Sequence, residues 1–197
     1  MLAPVRVTAP EILPVSLAEA KVHLRVDPDA TLEDSLVEGL IRAAVDHLDG
    51  WTGLLGRCLV EQTWRQDFEA GTSRLQLPLG PVIDVISVTA DGTPVDPASY
   101  SLSTDGGGRS FVTVDSGIGG AITVTYRAGY ATIPQDDGPP VVPARSTVPQ
   151  SVKQAILLFV GAWYENREET AIGVSVAGLP GSVAAHALLA PYRRIGI

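Results

Sequence analysis

Three histidines, a single cysteine and several clusters of carboxylates and glycines are the groups in this sequence that could do chemistry. His23, His47 and His186 are widely separated and show neither HxxxH nor HExxH spacing, so no one element carries a metal or acid–base pair. Cys58 excludes an internal disulfide framework and any CxxC zinc site, and reads as a small buried apolar residue. Asp27, Asp29, Thr31 and Glu38 fall at positions 1, 3, 5 and 12 of a calcium-loop template. The sixth position needs glycine for its sharp turn and is Leu32, so helix capping accounts for these residues better. Gly173 to Ala177, GVSVA, approaches a nucleophile elbow, but it ends in alanine and follows a helix where that motif needs a strand. Gly106, Gly107 and Gly108 with Arg109, like Gly117, Gly119 and Gly120, share only glycine content with phosphate-binding loops. Both runs lie between strands and neither opens a helix, so they read as turns. No catalytic, cofactor-binding or metal-binding residue is assigned, no cofactor is expected, and the chain is not expected to be an enzyme.

The elements that hold these residues belong to a 197-residue chain with 45% hydrophobic and 18% charged residues. That composition buries apolar surface and is not that of a disordered chain. The net charge of −8 argues against coating DNA, because neutralising phosphates needs clustered Lys and Arg. The charge is unevenly spread. Residues 1–144 hold 9 Lys and Arg against 19 Asp and Glu, a balance of −10, whereas residues 145–197 hold 5 against 3. From Thr170 to Tyr192 no side chain is charged unless His186 is protonated. Pro180 and several glycines interrupt that stretch, and Ala, Ser and Thr dominate it, so no membrane span is expected. It reads either as a surface-docking tail or as a loop and helix packed on the chain's own core. No secretory signal is recognisable at the start, and an intracellular setting is expected.

Periodicity divides the chain into three blocks. Ser16 and Glu19 form a capping box for a helix over Leu17 to Val26, presenting Leu17, Ala20, Val22 and Leu24. Thr31 is expected to cap a longer helix with Glu33 and Asp34 in its first turn. Leu36, Leu40, Ala44, Leu48 and Trp51 then recur at helical spacing, widened by Val37, Ile41 and Val45, and Gly50, Gly53 and Gly56 mark the exit. From Cys58 to Tyr130 the period changes to that of strands, with Asp91-Gly92 as a hairpin turn. Residues 131–148 read as an irregular linker. Pro149 suits a first helical position, followed by an apolar stripe of Val152, Ala155, Ile156, Phe159, Val160 and Trp163. A short helix over about Ser182 to Ala190 precedes Arg193-Arg194. The expected class is α+β: a helical bundle formed by the N- and C-terminal helices with an inserted small antiparallel β domain. The expected parts are a helical hairpin at 1–57, the β domain at 58–130, a linker at 131–148, a body helix at 149–169 and a C-terminal segment at 170–197.

The order of segments PVSLAEAKVHLRVDPDATLEDSLVEGLIRAAVDHLDGWTG, LQLPLGPVIDVISV, GGAITVTYRAGY and VPQSVKQAILLFVGAWYENREE, with LLAPYRRIGI at the end, resembles the head–tail connector (adaptor) family of tailed phages. Phage-derived gene transfer agents carry relatives of that family. The resemblance covers roughly residues 12–170 and rests on the shared order of assembly segments. It implies a homo-oligomeric ring, usually of twelve copies, in the neck of a virion or phage-like particle assembled in the host cytoplasm. The implied partners are the portal protein and a tail-side connector or stopper, with double-stranded DNA passing through the channel without specific binding, and no membrane. The implied portal contact comprises Leu179, Val183, Leu188, Leu189, Tyr192, Arg193 and Arg194. Arg42, Asp46 and Asp49 are candidates for contacts between subunits, against the alternative of a solvated helix face. The competing class is an independent soluble binding module with a ligand groove on its β domain.

Overall fold

A computed structural model describes residues 2–136, 138, 144–166 and 182–194. In chain order its elements are β1 (Val5–Thr8), α1 (Leu17–Leu24), α2 (Asp34–Leu48), β2 (Gln62–Phe68), β3 (Arg74–Leu77), β4 (Val82–Ala90), β5 (Thr93–Pro94), β6 (Tyr100–Thr104), β7 (Ser110–Val114), β8 (Ile122–Ala128), β9 (Thr132–Ile133), β10 (Arg145–Ser146), α3 (Gln150–Glu165) and α4 (Ser182–Leu189). Helices and antiparallel sheets are both present, as an α+β chain requires.

The capping box opens α1 as expected. The Glu19 amide donates to Ser16 Oγ at 3.2 Å, and the Ser16 amide donates to Glu19 Oε2 at 2.8 Å. Together they satisfy two of the amides a helix start leaves free. The buried face of α1 differs from the expected stripe. Val22 is 72% exposed, while Lys21 is only 5% exposed. The Lys21 ammonium donates to Pro28 O at 3.1 Å and Ala30 O at 2.8 Å, and pairs with Asp34 at 2.5 Å. A buried charge needs such partners, and they draw the chain from 28 to 34 over the lysine. The second helix therefore begins at Asp34 and not near Thr31, whose carbonyl instead accepts a turn bond from the Asp34 amide.

Val37, Ile41, Ala44, Val45 and Leu48 of α2 are buried against Val152, Ala155, Ile156, Phe159 and Val160 of α3. Ala185 and Leu189 of α4 close the same cluster. Trp51 does not extend the stripe. Gly50 turns the chain with φ +78°, leaving Trp51 exposed beyond the helix. Pro149 precedes the first turn of α3 as its N-cap and is not its first residue.

The strands form two principal sheets, ordered β1-β2-β8-β4-β5 and β3-β7-β6. Inward residues of both, among them Trp64, Leu75, Leu77, Val112, Val124 and Tyr126, fill a second apolar cluster. Cys58 is fully buried in it, and burial pushes its thiol up, so it stays protonated. Asp91 and Gly92 both have positive φ, which gives the β4–β5 hairpin the twist its strands need. Two features depart from expectation. β1 pairs with β2 as a sheet edge, so the first 57 residues are not purely helical. Within 131–148, read as irregular, β9 and β10 pair antiparallel.

Asp49, at the end of α2, joins the helices to the sheets. Its carboxylate accepts from the Leu59 amide at 2.6 Å and from Gln62 Nε2 at 3.1 and 2.9 Å. Burial pushes its pKa up, and the bonds from Gln62 and Leu59 only partly offset this. Asp49→Ala is expected to cost about 2 kcal/mol, because it strands buried donors. Asp49→Asn retains an acceptor for Leu59 and is expected to cost less, with Gln62 turning its unpartnered Oε1 toward the new amide. A raised native pKa means the folded state binds more protons than the unfolded state, so the charged form at neutral pH is the less stable one. Wild type should therefore gain stability relative to Asp49→Asn as pH falls from 7 toward about 4. Urea denaturation of the three proteins across that range measures both effects.

Candidate functional site

The C-terminal segment is where the sequence concentrates candidate contacts, and its local fold divides them into two sets. α4 carries no charged residue other than a protonatable His186, and it packs against α3. Ala185 and Leu189 are fully buried, whereas Val183 is 78% exposed and Ala184 and Ala187 also face outward. The His186 ring meets Phe159 edge-on with centroids 5.9 Å apart, a geometry that aromatic pairs favour. Leu188 and Tyr192 are half-buried at the margin. The Tyr192 hydroxyl accepts from Ser151 Oγ at 2.8 Å, which fixes the end of the segment on the start of α3.

The two terminal arginines point to different environments. Arg193 is exposed. Arg194 turns inward: its amide donates to Leu55 O at 3.0 Å, Nη1 to Pro78 O at 2.5 Å and Nη2 to Gly108 O at 2.9 Å. Burial, and then the charge of Arg57, push the Arg194 guanidinium down from its ordinary value, though a guanidinium remains charged. Of the seven candidates, then, Val183 and Arg193 are fully presented, Leu188 and Tyr192 partly so, and Leu189 and Arg194 are engaged within the chain. Leu179 lies outside the described residues.

On α2, Arg42 and Asp46 are exposed on the outer face. Asp49 is buried, with its carboxylate held by Leu59 and Gln62, so it stands apart from the other two. The remaining motifs have local roles. Asp27 Oδ1 accepts the Asp29 amide at 2.9 Å, an ordinary turn bond. Asp105 accepts the amides of Gly107 and Arg109 and pairs with the Arg109 side chain at 2.8 Å, closing the glycine-rich turn on itself. The GVSVA segment lies outside the described residues. Among the described residues no cluster of three His, Cys, Asp or Glu could hold a metal. None of the described helices is long and apolar enough to cross a membrane.

A cavity of about 230 Å³ lies where the first strands meet, lined by residues including Thr8, Glu61, Gln62, Arg127 and Thr132. It is smaller than a usual ligand pocket, roughly 300–1,000 Å³. Its cation is already taken: Arg127 pairs with Asp84 at 2.5 Å and Glu61 at 2.7 Å. The Arg127 bond holds the Asp84 carboxyl below its ordinary range. The β block thus offers no open ligand groove at this point.

Sequence reading missed the Lys21 anchor, the Asp49 joint and the inward course of Arg194. Each joins residues that are distant in the chain, and none has a local spacing signal. The glycines around Arg194 were visible as turns, but not as a seat for a side chain.

No family model and no curated protein matches the sequence. Solved structures do. The chain superposes on one from the neck of an empty gene transfer agent particle computed with C6 symmetry, with TM-score 0.71 and 22% identity, covering 100% of this chain and 97% of the other. It superposes on a chain of the virion of a native gene transfer agent particle with TM-score 0.68, 21% identity and the same coverage. A third match, from the neck of the native particle computed with C12 symmetry, has TM-score 0.58 and 18% identity, covering 96% of both chains.

The buried half of α4 makes it part of the core. Leu189→Ala is expected to lower stability by about 2–4 kcal/mol, as large-to-small core changes do. Val183→Ala, on the outer face of the same helix, should stay within about 0.5 kcal/mol. Ending the chain after Glu169 should consequently destabilise the helical body; thermal unfolding of the three variants measures this. End to end, the chain has the fold of proteins found in the neck and virion of gene transfer agent particles.

Proposed function

We propose that this protein is a structural head–tail connector that assembles as a ring beneath a portal in the neck of a phage-like particle. The supporting observation is the likeness, over the whole length, to neck chains of particles computed with C6 and C12 symmetry. A ring of identical copies needs heterologous contacts, in which one face of each copy meets a different face of the next. Arg42 and Asp46 give the outer face of α2 charges of both signs for such a contact. The portal contact falls to the outward set on the C-terminal segment, Val183, Leu188, Tyr192 and Arg193, and Leu179 is added to it from the sequence alone. An uncharged apolar helix tipped by one exposed arginine suits a partner groove with an acidic rim. The inward pair, Leu189 and Arg194, sets the resting position of that surface before a partner arrives.

The acidic balance of residues 1–144 suits a channel wall, because like charge keeps the DNA backbone from adhering. DNA would then pass without specific contacts, and a tail-side connector or stopper would bind the opposite face. Nothing in this role requires bond chemistry or a cofactor.

Co-sedimentation with a cognate portal ring is the direct test. Wild type is expected to pellet with the portal, and Val183→Asp combined with Arg193→Glu should weaken capture by about tenfold or more while leaving the circular dichroism spectrum unchanged. Arg42→Glu should shift sedimentation velocity from ring toward monomer without affecting the monomer's fold. Failure of wild type to bind at micromolar concentration and moderate salt would remove the portal from the proposal. A wild type that stays monomeric both alone and with the portal would remove the ring.

A further inference from the structure

The seat of Arg194 has a feature that the connector reading does not use. One residue, three positions before Ile197, reaches three separate stretches of chain. Its amide bonds Leu55 in the loop after α2, and its guanidinium bonds Pro78 between β3 and β4 and Gly108 in the β6–β7 turn. The last two flank strands of the β3-β7-β6 sheet. That sheet is thereby tied to a segment whose own anchor is α3.

The seat is shaped for a guanidinium. A Cβ on Gly80 would lie 2.8 Å from Arg194 Nη2, and a Cβ on Gly56 would lie 3.6 Å from the Arg194 Cβ. Glycine at position 80 therefore leaves the space the arginine head occupies. The bonding is also of a releasable kind. Among the described residues its hydrogen-bond partners are main-chain carbonyls and not carboxylates. Arg57, whose charge acts on Arg194 unfavourably, brings a second guanidinium close by, and its Nε is buried without a partner. Arg57 and Arg194 are neighbouring cations that repel one another, while the charge of Asp105 acts in favour of Arg194, so what holds Arg194 in place directly is its three bonds to main-chain carbonyls.

We propose that Arg194 is a releasable latch through which the C-terminal segment holds the β3-β7-β6 sheet to the helical body, so that drawing the segment away frees that sheet to move. Coupling of this kind needs an element with two arrangements that both sites bias. Here the element is the segment from 182 to 194, seated or withdrawn. The identity of a portal as the agent that withdraws it rests on the connector reading; the latch itself does not.

Hydrogen exchange on the full-length protein tests the latch without any partner. In Arg194→Ala, amides of the β6–β7 turn and the strand end beside it, such as Gly108 and Ser110, are expected to exchange about tenfold faster, together with those of α4. Amides in the middle of α2 and α3 should be unchanged. Gly80→Ala, which crowds the seat and keeps the arginine, should give the same pattern, and Arg194→Lys, which keeps the charge but loses the fork, should fall between. A turn that exchanges as in wild type in both Arg194→Ala and Gly80→Ala overturns the latch, and so does uniform acceleration through α2 and α3. Adding the portal ring to wild type is expected to deprotect the same turn. Binding without that deprotection overturns the coupling. Absence of binding overturns the connector reading, and the latch then stands or falls with the exchange rates of the variants.

Discussion

A buried carboxylate at the wrong end of a helix holds the two halves of this chain together. Asp49 follows the last turn of α2, where the helix dipole disfavours negative charge, and burial adds a desolvation cost. It is tolerated there because three hydrogen bonds from Leu59 and Gln62 converge on it. Those donors sit at and just before the start of β2, so satisfying the carboxylate places the first long strand relative to the helices. β2 pairs with β8 along its full length, and β8 pairs with β4. Most of the larger sheet therefore takes its position from one polar joint, with apolar clusters on either side that carry no directional information themselves.

What could be read from the sequence follows from the range over which each signal acts. Ser16 and Glu19 are three residues apart, so their capping box was legible and forms as written. The stripe of α3 and the extent of α4 were legible for the same reason, since helical periodicity needs only neighbours. The start of α2 was not. Thr31 is a fair cap in isolation, but Lys21, ten residues earlier, takes the carbonyls of Pro28 and Ala30 and delays the helix to Asp34. β1 and the β9–β10 pair were too short to show a period, and exist because longer strands or each other offer them an edge. On the C-terminal segment the residue types were legible and their directions were not. Leu188 and Leu189 are identical in sequence terms, yet one lies at the margin and the other fully inside.

One face of α4 packs on the chain's own core, and its other face is left for the docking proposed above. A free eight-residue helix is marginal in water, and an uncharged one exposes apolar surface with nothing to keep it soluble. Burying Ala185 and Leu189 against α3 gives the helix a reason to form. Bonding Tyr192 to Ser151 and Arg194 to three carbonyls then prevents its end from fraying. What faces outward among the described residues of the segment is mostly small: Val183, His186, Pro191, three alanines and Arg193, with Leu188 and Tyr192 half-buried. That is too little apolar surface to drive indiscriminate association, and enough to be repeated around a ring. Each copy would offer a weak contact, and a ring engaging a ring would multiply it through effective concentration. Such an arrangement favours a partner of matching symmetry over any single protein that happens to fit the helix, so selectivity would arise from the spacing of copies as much as from the chemistry of one.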